Sequence, residues 1–253
     1  MKKNLIIIWV FLGIFSWGMV FWWEIFLFGN NQPNIPWGYN PISGFYDQNT
    51  EEESVEEAEQ DMFADMDFYS DDSFQRFLDD NHPLSWNYEA KDIVKIYSDF
   101  TTNKSSNFSL RKDVANAFEL MAWAFSNAFD FKARLTINSA WRSQSYQRQL
   151  AASCSNTRCA KPWTSEHEAG LALDLWVNGG NIKAGSGKYY QWLVDNAHKY
   201  GFHNSYQKWM EIDGKMVEPR HWRYVWVDLA TYLHEHNQTF TEYFYENIEP
   251  KNN

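Results

Sequence analysis

A small set of histidines and carboxylates has the residue types and spacing of a catalytic metal centre. His167 and Asp174 lie seven positions apart with Gly170 between them, and His221 follows later with Glu218 three positions before it. Taken singly, each residue fits a structural role better, but two histidines and one carboxylate together are the three-ligand set of a catalytic zinc, with a position left open for water. Glu218 is then well placed to accept a proton from that water, so the pattern predicts metal-assisted hydrolysis.

Three motifs around these residues resemble those of one enzyme family. They are Ser139-Ala140-Trp141-Arg142-Ser143 with Gln147, Ser165-x-His167-x-x-Gly170-x-Ala172-x-Asp174, and Glu218-x-x-His221-Trp222-Arg223-Tyr224-Val225. In this order they are similar to the zinc D-alanyl-D-alanine carboxypeptidase family, which includes vancomycin-resistance carboxypeptidases and the L,D-carboxypeptidases of peptidoglycan turnover. The resemblance covers about residues 83 to 236.

The resemblance implies a zinc peptidase that removes the C-terminal D-alanine from peptidoglycan stem peptides. On this basis His167, Asp174 and His221 would bind one zinc ion per chain, and Glu218 would be the general base. The chemistry supports these roles independently, because zinc lowers the pKa of a bound water and a nearby carboxylate can move the proton to the leaving amine.

The resemblance also implies three residues that bind the substrate. Arg142 and Gln147 would hold its terminal carboxylate, and Ser165 would contact its peptide backbone. An enzyme that cuts at a free C-terminus must recognise a carboxylate, and the planar fork of an arginine does so with two parallel hydrogen bonds.

Some positions depart from the family's pattern. Arg220 stands where the family often has an aromatic residue, Trp226 where it has a glycine, and Pro162-Trp163 where it has Pro-Gly. None of them is a predicted ligand, so the departures bear on substrate range more than on zinc binding. Four further histidines match no ligand position and are predicted to be structural or surface residues: His198, His203, His234 and His236.

Other functions stay open at this point. An L,D-carboxypeptidase, a D,D-dipeptidase or an endopeptidase of the same superfamily would use similar ligands, although Arg142 and Gln147 favour a carboxypeptidase. A non-catalytic cell-wall binding module would keep the fold and lose a ligand or the base. Because all four of those positions are filled here, the sequence favours an enzyme.

The helices and strands predicted around these residues indicate an α+β fold, in which a small antiparallel sheet and flanking helices surround a zinc cleft. Ser109 is predicted to cap a helix, in which Leu110, Val114, Phe118, Met121 and Phe125 form one apolar stripe. The other predicted elements are a strand at Leu135–Asn138, a helix at Ser143–Ser153, a strand at Gly170–Trp176, a helix at Tyr189–Tyr200 that ends at Gly201, a strand at His221–Val227, and a last helix from about Asp228.

An apolar segment precedes this domain. Leu5 to Trp23 contains no charged residue and follows Lys2 and Lys3, so residues 1–30 are predicted to be a transmembrane anchor or a signal segment. An uncleaved anchor is favoured over a removed signal, because the small residues Ser16 and Gly18 are followed by further apolar residues. The expected location is the cell membrane, single-pass, with the catalytic domain on the exported side.

Charge separates the rest of the chain. Residues 51–80 hold 13 carboxylates and one arginine, whereas residues 81–253 hold 19 basic and 18 acidic residues. Residues 31–80 are therefore predicted to be an acidic, largely disordered linker and residues 81–253 the zinc carboxypeptidase domain. An alternative keeps part of the linker helical and docks it on the domain through four residues at helix-like spacing: Met62, Met66, Phe74 and Phe77. No basic patch is present, so no nucleic-acid partner is expected.

The two cysteines, Cys154 and Cys159, allow two interpretations. Their spacing is too wide for Cys-x-x-Cys, and no second pair completes a zinc knuckle. A disulfide that closes a small loop is favoured over two free thiols, because the domain is expected to be exported.

Overall fold

The computed structural model of this protein describes residues 63, 65–102, 108–182 and 187–249, and the structural statements below concern these residues. The predicted anchor at residues 1–30 lies outside them, as does most of the predicted linker. Within the described ranges, no helix is both long and apolar enough to cross a membrane.

The fold is α+β, as predicted, and its centre is an antiparallel sheet. Its strand order is β3-β4-β7-β6, β5 pairs with β4 at the end of the sheet, and β1 and β2 form a separate two-stranded sheet. The strands are β1 (Ile93–Lys95), β2 (Ser109–Arg111), β3 (Leu135–Ser139), β4 (Ala172–Val177), β5 (Gly180–Asn181), β6 (Phe202–His203) and β7 (His221–Tyr224).

Helices flank this sheet. They are α1 (Lys112–Ala128), α2 (Gln144–Ala152), α3 (Gly187–Asn196), α4 (Met210–Asp213), α5 (Val227–Glu235) and α6 (Phe240–Tyr243), with a 3-10 turn at Ala197–Tyr200 after α3 and a π-helical turn at Phe244–Ile248 after α6. The Ser143 side chain accepts a hydrogen bond from the backbone N–H of Tyr146 and so caps α2, close to the predicted start.

The apolar stripe of α1 confirms the prediction for four of its five residues. Val114, Phe118, Met121 and Phe125 are buried on one side of the helix. The predicted cap is wrong: Ser109 lies in β2, where it pairs with Lys95 of β1, and the helix begins at Lys112. Long-range strand pairing replaces a local cap here, since the carbonyl of Ser109 accepts a hydrogen bond from the N–H of Trp141.

Backbone conformations with positive φ set several element ends. Gly170 has φ of +72°, so the predicted strand begins later, at Ala172. Gly201, with φ of +80°, ends the 3-10 turn as predicted. The strand that begins at His221 was predicted to run to Val227 but ends at Tyr224, because Trp226 has φ of +78°. Val227 is instead the first residue of α5.

The predicted linker boundary at residue 81 is wrong, because residues before it belong to the folded core. Phe63, Phe68 and Phe77 are each at most 3 % exposed and pack with α5, α6 and the turn that follows α6. The ring of Phe77 stacks on that of Phe244 with their centroids 3.9 Å apart. Docking of this segment is therefore confirmed, but through turns rather than the proposed helix, and Met62 lies outside the described residues.

Candidate metal centre

Asp174 and His221 face each other across two neighbouring strands. They are register partners in the antiparallel pair β4–β7, so their side chains project from the same face of the sheet. The Nδ1 atom of His221 lies 3.3 Å from Oδ1 of Asp174, and each residue is 3 % exposed. The sheet register thus brings together two residues that are 47 positions apart in sequence.

His167 reaches the same point from the loop that precedes β4. Its Nδ1–H donates a 2.7 Å hydrogen bond to the carbonyl of Ala140, and its own carbonyl accepts from the N–H of Arg142 at 3.1 Å. Its Nε2 atom therefore faces Asp174, 3.5 Å from Oδ1. The turn at Gly170 favours glycine, because its φ of +72° is a backbone conformation that other residues rarely adopt.

These three residues fit a metal ion. One ligand atom from each of His167, Asp174 and His221 lies within 4.8 Å of the others, and all three side chains are buried. The hydrogen bond to Ala140 leaves the Nε2 lone pair of His167 free for a metal. Two imidazoles and one carboxylate are the donor set of catalytic zinc sites with an open position.

Glu166 is a part of this site that the sequence analysis missed. Its Oε2 accepts hydrogen bonds from Nε2 of His221 and Oγ of Ser205, both at 2.7 Å, and its Oε1 accepts from Nη1 of Arg223 at 3.0 Å. Such a carboxylate fixes the orientation of a ligating histidine and leaves its other nitrogen, Nδ1, for the metal. One signal was available: Arg223 follows His221 by two residues on a strand and so shares its face, where a buried cation requires an anion.

Burial and charge together set the pKa values at this centre. Burial alone would raise the pKa of Glu166, but the charge of Arg223 and the hydrogen bond from His221 lower it to about 2. Burial, with the nearby charge of Arg142, lowers the pKa of His167 to about 4. Burial would also raise the pKa of Asp174, yet the two histidines hold it well below its usual range. At neutral pH the site therefore holds two ionised carboxylates and a neutral His167.

Glu218 lies in the cleft beside these residues, at the end of a loop fixed at both sides. Its N–H donates to the carbonyl of Tyr206 at 2.8 Å, and its carbonyl accepts from the N–H of His221 at 3.1 Å. Its carboxylate forms a salt bridge with Arg220, with Oε1 2.6 Å from Nη2. The structure thus brings the predicted base and the three predicted ligands to one cleft.

The predicted substrate-binding residues are also close by, but in different settings. Arg142 lines the cleft and donates hydrogen bonds to Ser139 Oγ, Gln147 Oε1 and Asp174 Oδ2 at 3.0, 3.3 and 3.1 Å. Gln147 is completely buried and donates to the carbonyl of Ala160, so it supports the guanidinium of Arg142 instead of lining the cleft. Ser165 lines the cleft and its Oγ accepts from the N–H of His167 at 3.3 Å.

The cleft, about 240 Å³ in volume, carries several cationic side chains. The cationic residues among those that line it are Arg142, Arg158, Lys215 and Arg220. Arg158 belongs to a small loop closed by a disulfide between Cys154 and Cys159, which confirms the favoured interpretation of the two cysteines. Three carboxylates, those of Glu166, Asp174 and Glu218, line the same cleft, so it offers cations to an anionic ligand and anions to a metal ion.

Comparison with known proteins gives a family match over the described site. Residues 107–227 match the family model described as VanY, D-alanyl-D-alanine carboxypeptidase. A D-alanyl-D-alanine carboxypeptidase of Enterococcus faecalis (strain ATCC 700802 / V583) is 34% identical over 104 residues, which are 41% of this chain and 38% of that protein. The putative carboxypeptidase YodJ of Bacillus subtilis (strain 168) is 32% identical over 177 residues, 64% of each chain. This chain thus spans less than two thirds of the length of either relative.

Solved structures share the fold. An LdcB LD-carboxypeptidase structure described as showing the molecular basis of peptidoglycan recognition is 27% identical, with a TM-score of 0.60 over 70% of this chain and 88% of that one. A mutant of the vancomycin-resistance D,D-pentapeptidase VanY in complex with Zn(II) is 22% identical, with a TM-score of 0.54 over 66% of this chain and 97% of that one. At this lower identity the likeness shows the fold alone.

Proposed function

We infer that the chain carries a domain of the VanY D-alanyl-D-alanine carboxypeptidase family, a family of hydrolytic peptidases, and we propose that it is a zinc-dependent carboxypeptidase that removes the C-terminal D-alanine from peptidoglycan stem peptides. One observation carries the proposal. His167, Asp174 and His221 converge within 4.8 Å in a cleft that also holds a carboxylate, Glu218, and a guanidinium, Arg142. Ligands, base and carboxylate receptor are the parts that an exopeptidase of this type requires.

The proposed metal is zinc, held by Nε2 of His167, Nδ1 of His221 and a carboxylate oxygen of Asp174. When bound, zinc would lower the pKa of a water molecule and polarise the scissile carbonyl group. The protein's own part is to fix the ligands: Ala140 holds the ring of His167 and Glu166 holds the ring of His221. Ligand geometry is then set before any substrate binds.

Glu218 moves the proton in the proposed reaction. Its carboxylate accepts a proton from the attacking water and returns it to the nitrogen of the leaving D-alanine, so that the C–N bond breaks and D-alanine departs with a neutral amine. The Glu218 side chain is 21 % exposed, so its carboxylate can contact both the water and the leaving group.

Arg142 is the proposed receptor for the terminal carboxylate. Ser139 and Gln147 hold its guanidinium in place, and Gln147 is in turn anchored to Ala160 in the buried interior. We therefore assign Gln147 a supporting role, with Arg142 in direct contact with the substrate. Ser165, which lines the cleft and accepts a hydrogen bond from the N–H of His167, is proposed to contact the peptide backbone.

We propose that the chain is anchored in the cell membrane by the segment from Leu5 to Trp23, with its catalytic domain on the exported side. The disulfide between Cys154 and Cys159 supports this, because disulfides persist in exported compartments and are rare in the cytosol. Peptidoglycan stem peptides lie in the same compartment as such a domain.

A second candidate is an L,D-carboxypeptidase, which cuts tetrapeptide stems. The similarity to an LD-carboxypeptidase at 27% identity and a TM-score of 0.60 favours keeping it. Its predicted site residues are the same, and the two candidates differ only in the stereochemistry of the residue before the scissile bond.

The test is incubation of the purified full chain with defined tetrapeptide and pentapeptide stems, with products identified by mass spectrometry. The proposal expects loss of one D-alanine from the pentapeptide, suppressed by a chelator and restored by zinc. Release of D-alanine from the tetrapeptide alone would replace the D,D assignment by the L,D one. Absence of hydrolysis of both stems in the presence of zinc would contradict the proposed function.

A further inference from the structure

The predicted base is paired with a cation that the family's motif does not lead one to expect. Nη2 of Arg220 lies 2.6 Å from Oε1 of Glu218, in the position where the family often has an aromatic residue. The Arg220 side chain is 38 % exposed, so this is not a buried structural ion pair. The guanidinium lies against one of the two carboxylate oxygens of the proposed base, Oε1, and so competes at that oxygen with the water whose proton the base should accept.

The backbone on both sides of this pair is fixed, so only side chains need to move to open it. The N–H of Glu218 donates to the carbonyl of Tyr206, and the carbonyl of Arg220 accepts from the N–H of Leu175 in β4, both at 2.8 Å. Rotation about the side-chain bonds of the partly exposed Arg220 is enough to separate its guanidinium from the carboxylate. Such rotations in exposed residues are fast compared with enzyme turnover.

Arg220 also has a hydrogen-bond donor without a partner among the described residues, and it lines a second groove beside the cleft. Its Nε–H is buried and has no hydrogen-bond partner among the described residues. Besides the cleft, it lines an adjoining groove together with Arg158, Met216 and Val217. A guanidinium presents five N–H donors in a fixed fork, which a substrate carboxylate fills better than the single contact with Glu218.

We propose that Arg220 is a specificity and positioning residue that exchanges Glu218 for a second carboxylate of the substrate. The inference rests on the proposed function. With Arg142 assigned to the terminal carboxylate, the second one belongs to a residue on the N-terminal side of the scissile bond, in the groove beside Arg158. The preferred substrate class is therefore peptides with an acidic side chain there, and their binding frees the base.

The test compares two pentapeptide stems that differ at one group. The side chain of the third residue ends in a carboxylate in one stem and in the corresponding primary amide in the other. For the zinc-supplemented full chain we expect kcat/KM to be about tenfold higher for the acidic stem, the scale of a charge-assisted hydrogen bond. In Arg220→Met this preference should fall below about twofold, because KM for the acidic stem rises and kcat for the amide stem increases as the base is freed.

Two variants separate this role from a general effect of charge. Arg220→Lys keeps the cation and should restore part of the preference. Lys215→Met removes another cation of the same cleft that has no salt bridge to Glu218 in the described structure, and should weaken both stems by similar factors. A wild-type protein without preference, or an Arg220→Met variant that keeps it, would overturn the proposal.

Binding measured by calorimetry gives a readout that does not depend on hydrolysis. The full chain should bind the acidic stem about tenfold more tightly than the amide stem, and Arg220→Met should bind the two equally. If the wild-type protein cleaves neither stem, the proposed function fails while this binding difference still decides the role of Arg220. Equal binding by the wild-type protein would refute it.

Discussion

Glu218 and His167 lie in one cleft but have separable roles, which substitution can resolve. Glu218→Ala removes the proposed base and leaves all three ligands, so we expect hydrolysis to fall by about 10²- to 10⁴-fold with metal retained. His167→Ala removes a ligand, and we expect metal content and activity to be lost together. Metal analysis by mass spectrometry beside turnover of a pentapeptide stem checks both. Full zinc occupancy in His167→Ala would contradict the ligand assignment. Turnover at the wild-type rate by Glu218→Ala would contradict the proposed mechanism.

Glu166 offers a prediction that the sequence motifs do not make. Glu166→Gln keeps the shape of the side chain but leaves the fully buried Arg223 without its anion, so we expect a loss of about 3 to 5 kcal/mol in the free energy of unfolding. Because His221 also loses a strong acceptor, metal affinity should weaken by about 10- to 100-fold. Urea unfolding and competition with a chelator measure these two effects.

Glu168 supplies the matched control on the other side of His167. Burial raises its pKa to about 7, so a neutral glutamine resembles the state that it already partly adopts. Its contact with the backbone N–H of Trp163, at 2.8 Å, survives as a hydrogen bond to the amide oxygen. Glu168→Gln should therefore change stability and metal affinity much less than Glu166→Gln does. Equal losses in the two variants would contradict the claim that the unpaired Arg223 causes the effect of Glu166→Gln.

The loop before the metal ligands holds a tryptophan in a backbone conformation that suits glycine. Trp163 has φ of +68°, and its ring stacks on that of Trp86 with their centroids 4.3 Å apart. Trp163→Ala loses the stacking and keeps the strained backbone, whereas Trp163→Gly loses the same stacking and relieves the strain. We expect the glycine variant to be more stable than the alanine variant by about 1 kcal/mol. Thermal unfolding compares them, and equal melting temperatures would show that the loop stores no such strain.

At the level of elements, sequence patterns predicted what local periodicity controls and missed what distant pairing controls. The stripe of α1 and the turn at Gly201 were predictable, because helical spacing and glycine conformation are local properties. The start of α1 was not, since Ser109 pairs with Lys95 in a strand. Glu166 was missed for a similar reason: the sequence offers Arg223 as a buried cation in need of an anion, but only the tertiary fold shows that the anion is Glu166, 57 positions away.

The high content of acidic residues led to the first part of the folded domain being predicted as linker. Residues 51–80 carry 13 carboxylates, which is typical of a solvated linker, yet Phe68 and Phe77 within them are 2 % exposed. The docking alternative included Phe77 but not Phe68, because this segment forms turns and its buried residues follow neither helical nor strand spacing. Arg76, the single basic residue of the stretch, is also buried and donates to the carbonyl of Pro83 at 2.6 Å.

For the whole molecule, buried neutral histidines predict a loss of stability in mild acid. Burial lowers the pKa of His203 to about 3, and the charges around it come from Glu166, Arg223, His234 and Lys208. The unfolded chain takes up a proton near pH 6.5 and the folded one does not, so stability falls as pH drops below 6.5. This one group should remove about 2 kcal/mol between pH 7 and pH 5.

Urea unfolding at a series of pH values checks this, with His203→Gln as the test variant. Its slope of stability against pH between 6.5 and 5 should be smaller than that of the wild-type protein. The matched control is His236→Gln at an exposed position, which should leave the slope as it is. An unchanged slope in His203→Gln would mean that other groups control the acid limb.

The largest consequence of the fold concerns where the domain starts. A chain that begins at residue 81 lacks Phe63, Phe68 and Phe77, whose burial contributes on the order of 1.5 to 3 kcal/mol each. The sum is comparable to the whole free energy of unfolding of a typical domain. We therefore expect a chain of residues 81–253 to fold poorly or not at all, and a chain of residues 51–253 to match the full chain in its urea midpoint and in hydrolysis of a pentapeptide stem. Equal urea midpoints for the two truncated chains would show that residues 63–80 do not stabilise the domain and belong to the linker.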